Sequence, residues 1–206
     1  MRYIDFYSTF SPFGCFDVNQ VKLVEPSFDR TALTRWVAKG YLVPLRNGVY
    51  AFSEWLKTPD THFISACLMY RPCYITGYSA LAYYGMIPEF VAQTTCATTL
   101  KTCSFTNDLG VFVYQHMKPE LFFGYNPVNV TNQRSFYIAT PEKALIDLLY
   151  LNPNIKRVED MVELRLDEDF MTEDFDWNKA EEYLKTIKNK SLNKRFNNLI
   201  KAYRND

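Results

Sequence analysis

Arg30, Thr31, Thr34 and Arg35 are the residues whose types and spacing best fit contact with a polymer. On a helix through this segment, Leu33, Trp36 and Val37 recur at spacings of three and four and turn inward. Thr31, Thr34, Arg35 and Ala38 then project to the other side, with Arg30 at the flank. A guanidinium can grip guanine bidentately, for about 1–3 kcal/mol of discrimination, whereas a phosphate contact mainly steepens the salt dependence. Arg46 and Asn47 stand at the tip of a following hairpin, where a phosphate contact is easily made. A solvated helix carries the same residue types, so the elements around these positions must decide.

Other chemistries find few residues. Five cysteines (Cys15, Cys67, Cys73, Cys96 and Cys103) form no C-x-x-C pair, and His62 and His116 lie far apart. The cysteines read as small buried apolar residues rather than a disulfide framework. The thin ligand set argues against closed tetrahedral zinc, and no cofactor is implied. Phosphate-cradling glycine loops and the G-x-S-x-G elbow are missing. Pro59–Asp60 could open a nuclease motif, but no lysine has an acid two residues before it. Asp167, Glu168 and Asp169 could attract a hard cation, yet lack the glycine turn and spacing of an EF-hand loop. The expectation is a non-enzyme.

The elements that would position Arg30 to Asn47 occupy the first 56 residues. Met1 to Phe10 carries apolar residues at Tyr3, Ile4, Phe6, Tyr7 and Phe10, a spacing compatible with a first helix. Asp17 and Gln20 form a capping box opening a helix over 18–24. Ser27 is placed to cap a third helix from Phe28 to Lys39, with Gly40 ending it. Tyr41–Leu45 and Val49–Phe52 flank Asn47–Gly48, a strong hairpin signal through a type I′ turn. Three helices and a hairpin is the order of a winged helix-turn-helix, which lays its second motif helix in the major groove.

Residues 57–206 change character. Helices are expected over 62–70 and 79–84, and strands over 74–76, 91–100, 104–116 as a hairpin, 128–130 and 135–139. Thr140–Pro141–Glu142 opens a helix to Tyr150 by capping, N1 proline and first-turn acid. Asp176 caps a last long helix. The fold class expected is α+β: a winged helix-turn-helix, then an α+β domain with a small, mostly antiparallel sheet and a helical tail.

The 206 residues carry 23 basic and 23 acidic side chains and are 48% hydrophobic, which argues against disorder. No stretch approaches the roughly 20 apolar residues that span a bilayer, and the N-terminus lacks a signal-peptide core, so a cytoplasmic protein without membrane contact is expected. Charge is uneven. Residues 159–176 hold nine acids and one base, whereas 177–206 hold eight bases and three acids. The first 56 residues net only +1.

Three segments together resemble the AbiEi-like family of type IV antitoxins and winged-helix regulators: residues 33–50, from Leu33 through Lys39–Gly40 to Arg46–Asn47–Gly48–Val49–Tyr50; residues 74–85, with Ser79–Ala80–Leu81 and Gly85; and residues 138–150, with Pro141–Glu142–Lys143–Ala144–Leu145 and Asp147. The resemblance implies a repressor of its own promoter that binds inverted repeats in double-stranded DNA. It also implies an antitoxin that opposes a nucleotidyltransferase toxin without needing a stable complex. The low charge of the winged region would be offset by a homodimer or by cooperative loading on two half-sites. Ser79, Glu142, Lys143 and Asp147 are the antitoxin-domain motif residues. A helix cap at Ser79, and first-turn capping plus an i, i+4 ion pair on the last helix, explain the same residues without function. Two alternatives stand beside this reading. One is a metal-dependent nucleic-acid-processing enzyme with a DNA-reading module; the other is a protein-interaction module.

Overall fold

The Asp17 carboxylate accepts from the Asn19 N–H, and Gln20 Oε1 accepts from the Asp17 N–H at 2.9 Å. This reciprocal box starts α2 (Val18–Val24) at the residue the sequence predicts. The computed structural model describes residues 1–58, 60–89 and 91–204. Around α2 lie α1 (Tyr3–Phe10), β1 (Cys15–Asp17), α3 (Thr31–Ala38), β2 (Leu42–Arg46) and β3 (Val49–Phe52). The strands form an antiparallel sheet in the order β1-β3-β2. Pro44 sits on its edge strand, where a missing N–H costs least.

Two local expectations are corrected. The third helix begins at Thr31 rather than Phe28. Ser27 bonds the Glu25 side chain instead of capping, and Asp29 Oδ1 accepts from the Thr31 N–H at 2.9 Å. The hairpin turn is not type I′, because Gly48 has φ +82° while Asn47 is not in the positive-φ region. A register shift between Pro44 and Arg46 absorbs the difference.

The small sheet has two buried faces. Phe16, Leu42 and Phe52 join Phe6, Phe10, Phe28, Leu33 and Trp36 in an aromatic core. Phe6 is its centre, with ring centroids 4.6 Å from Trp36, 4.9 Å from Phe10 and 5.1 Å from Phe16. The opposite face (Cys15, Leu45, Val49 and Ala51) belongs to the core of the rest of the chain.

That larger body comprises α4 (Thr61–Met69), β4 (Cys73–Ile75), α5 (Gly77–Tyr83), β5 (Gln93–Thr98), β6 (Cys103–Asn107), β7 (Gly110–His116), β8 (Tyr125–Thr131), β9 (Arg134–Ala139) and α6 (Pro141–Leu151). Four more helices follow: α7 (Val158–Val162), α8 (Glu168–Glu173), α9 (Trp177–Ile187) and α10 (Lys190–Tyr203). The class is α+β. The sheet is larger and more mixed than expected: six strands in the order β6-β7-β5-β4-β9-β8. β5 runs parallel to β7, and β4 to β9. Alternation reveals a strand but not its neighbour: β7 returns between β6 and β5, which forces a parallel pair.

The expected last long helix is two. Lys188 adopts φ +53° and Asn189 caps α10 through the Leu192 N–H, whereas Asp176 caps α9 as expected. Among the described residues, no helix is long and apolar enough to cross a membrane.

Candidate nucleic-acid interface

α3 divides as its spacing requires. Ala32, Leu33 and Trp36 are buried, whereas Arg30, Thr31, Thr34, Arg35 and Ala38 are exposed. Arg30 stands one residue before the helix. Thr34 and Arg35 have no side-chain hydrogen bond or ion pair among the described residues, so both are free to meet a ligand. Thr31 is engaged: its hydroxyl donates to Asp29, and that bond holds the Asp29 carboxyl below the ordinary carboxylate range. An ionised acid therefore sits at the leading end of the helix, where it would repel a phosphate. It leaves Thr34 and Arg35 as the strongest positions.

The hairpin does not present a free cationic tip. Asn47 is exposed, but Arg46 turns away from solvent. Its guanidinium donates to the Met69 carbonyl and lies 4.3 Å from the Phe105 ring centroid and 5.0 Å from that of Tyr70. An arginine gains more by satisfying a carbonyl and stacking on two rings than by waving in water. The structure thus gives Arg46 to the seam with the larger body.

The four motif residues of the larger body are brought into its interior. Lys143 and Asp147 are 0% and 1% exposed and form an ion pair on α6. Tyr74 on β4 accepts from Lys143 Nζ at 2.8 Å and donates to Asp147 Oδ2 at 2.9 Å; Thr76 Oγ1 donates to the same oxygen at 2.9 Å. Burial pushes the Asp147 carboxyl up and the Lys143 ammonium down, and their mutual attraction opposes both shifts. Gly124 passes so close that a Cβ there would lie 3.0 Å from Lys143 Cγ. The network is satisfied and sealed, which makes it a core staple rather than a reactive centre.

Glu142 is buried as well. Its Oε1 accepts from the Asp176 N–H at 3.4 Å and its Oε2 pairs with Lys179 Nζ at 3.0 Å, tying the start of α6 to the start of α9. Ser79 is not a helix cap. It lies within α5, donates to the Gln93 carbonyl at 3.0 Å and accepts from the Thr95 N–H at 2.8 Å, pinning α5 to β5. Tyr74 and Thr76 lie in the 74–85 segment, but their pairing with Asp147, and that of Thr95 with Ser79, escaped sequence reasoning. Each partner lies far along the chain from its motif residue, with no spacing signal between them.

Asp167 spends a carboxylate oxygen on capping α8 through the Phe170 N–H at 2.8 Å. Among the described residues, no group of three or more His, Cys, Asp or Glu side chains converges closely enough to hold a metal ion. Of the Pro59–Asp60 pair, Pro59 lies outside the described residues, as do the last two residues of the tail. All five cysteines are free thiols; Cys15, Cys73 and Cys96 are buried. No family model matches the chain, and no curated protein matches its sequence.

Proposed function

We propose that the protein is a cytoplasmic DNA-binding repressor of the AbiEi-like type IV antitoxin kind, whose first 56 residues act as a winged helix-turn-helix. The reading is carried by one observation: α3 buries Leu33 and Trp36 while leaving Thr34 and Arg35 exposed and unengaged, next to a two-stranded hairpin. In this reading α3 enters the major groove of inverted repeats in the protein's own promoter. Thr34 and Arg35 read bases, while Arg30 and Asn47 contact the backbone. The near-neutral charge of the unit calls for two copies on two half-sites. The larger body would carry the antitoxin role against a nucleotidyltransferase toxin, with Glu142, Lys143, Asp147 and Ser79 acting as its scaffold.

A gel shift on the DNA upstream of the gene, run at several salt concentrations, tests the DNA-binding part. The expected result is a shift at low salt. Arg35→Ala should weaken binding by about 1–3 kcal/mol if the residue reads a base, or lower the salt slope by about one if it holds a phosphate. Arg46→Ala should change binding far less, because that side chain is committed to the seam. Absence of any shift at low salt and high protein concentration overturns the reading. The antitoxin part is tested separately by co-expression with the neighbouring gene product: relief of its growth arrest is expected.

A further inference from the structure

A cleft of about 540 Å³ opens at the seam between the small aromatic core and the larger body. Phe13 and Gln20 line it from one side, and Arg71, Phe122, Tyr125 and Tyr137 from the other. Its size and its position between two packed units are those of small-molecule sites.

The charge in this cleft, among the described residues, is a single guanidinium on the exposed Arg71. Arg71 Nε donates to the Cys67 carbonyl at 3.0 Å, which orients the guanidinium and leaves its two terminal nitrogens without partners among the described residues. Among the described residues, no acidic side chain lines the cleft and Arg71 makes no ion pair. A planar cation with its terminal N–H pair free and no counter-ion among the described residues selects an anion that can be gripped by two oxygens.

The remaining walls select what that anion is attached to. Tyr125 lies nearly parallel to Tyr74 (4.5 Å, 17°) and meets Tyr137 edge-on (5.7 Å, 87°), so its ring is placed before any ligand arrives. Tyr137 is 47% exposed and available for stacking. The Gln20 carbonyl oxygen is used by the Asp17 N–H, which leaves its amide N–H groups free to donate.

We propose that this cleft binds a nucleoside monophosphate, with the phosphate on Arg71, the base against the tyrosine and phenylalanine walls, and a base acceptor facing the Gln20 amide. One unpaired arginine matches a single phosphate group rather than a polyphosphate. The site is independent of the DNA-binding reading, because Thr34 and Arg35 take no part in it.

Isothermal titration of the full chain with AMP, GMP, CMP and UMP tests the proposal, with the matching nucleosides and inorganic phosphate as comparisons. At least one monophosphate should bind in the micromolar range, and its nucleoside and phosphate alone much more weakly. Arg71→Ala and Tyr137→Ala should each weaken binding about tenfold or more. Arg71→Lys, which keeps the charge but loses the fork, should fall in between, and it carries the test if the alanine variant does not fold. Arg35→Ala should bind nucleotide like the parent protein, whatever it does to DNA. No heat with any of the four monophosphates, or undiminished affinity in the Arg71 variants, overturns the proposal.

Discussion

Lys143 and Asp147 have the spacing of an ordinary solvated i, i+4 pair, yet they lie at the centre of the larger body. A surface pair of this kind contributes a few tenths of a kcal/mol, whereas breaking a buried one strands a charge and costs about 3–5 kcal/mol. Lys143→Ala should therefore destabilise the protein by about that much, read from the midpoint of urea unfolding. The double replacement Lys143→Met, Asp147→Leu should recover a large part of the loss, since no unpaired charge remains. A double variant no more stable than Lys143→Ala would show that the pair contributes more than mutual neutralisation. Arg46 teaches the converse lesson: a residue placed by spacing at an exposed tip is drawn into the seam by the Met69 carbonyl and two rings. In both cases the residue types were legible, but the partners came from dozens of positions away.

Three helix starts obey local rules closely. Asp17, Thr140 and Asp176 cap α2, α6 and α9 at the positions read from sequence, because a cap needs only a side chain and the N–H groups two or three residues on. Asp160 anchors α7 in a similar way. Its carboxylate accepts from the Lys156 and Arg157 N–H groups at 2.9 and 2.8 Å and from the Arg157 guanidinium. These bonds, led by those from the backbone, push its pKa down to about 2 from an ordinary 3.8. A carboxyl depressed on folding stabilises the native state above its unfolded value, and the contribution is lost as pH falls through the native one. An NMR titration of the Asp160 carboxyl should therefore show a midpoint near 2. The stability of Asp160→Asn should fall less than that of the parent between about pH 4 and pH 2. A midpoint at 3.8 would show that the bonds do not persist in solution. The break between α9 and α10 shows where local rules run short: no glycine or proline announces it, and only Asn189 hints at a second start.

The sequence reading divides the chain at residue 56, but the interior does not. Cys15, Leu45, Val49 and Ala51 complete the larger core. Three clips reinforce this seam. Arg46 reaches across to Met69, Asn107 donates to the Leu45 carbonyl at 3.0 Å, and Arg134 stacks 4.0 Å from the Trp55 ring. Fragment 1–56 would expose that apolar sheet face to water. The full chain should therefore unfold in one cooperative transition, and the isolated fragment should unfold at lower denaturant or self-associate. Arg46→Ala should lower stability by about 1–2 kcal/mol, through lost cation–π and carbonyl contacts. Two separated transitions in the full chain would show that each unit stands alone.

Sequence alone determined what depends on neighbours within a few residues: the caps at Asp17, Thr140 and Asp176, the inward stripe of α3, the hairpins at residues 47–48 and 107–110, and the α+β class. Periodicity and capping are short-range, so they survive without a fold. Only the tertiary structure decided which strands run parallel, that the Glu142, Lys143 and Asp147 motif is sealed rather than displayed, that Arg46 closes a seam, and that Arg71 is left with a free fork. Those outcomes depend on which surfaces meet once apolar faces are buried, and that is set by residues distant in the chain.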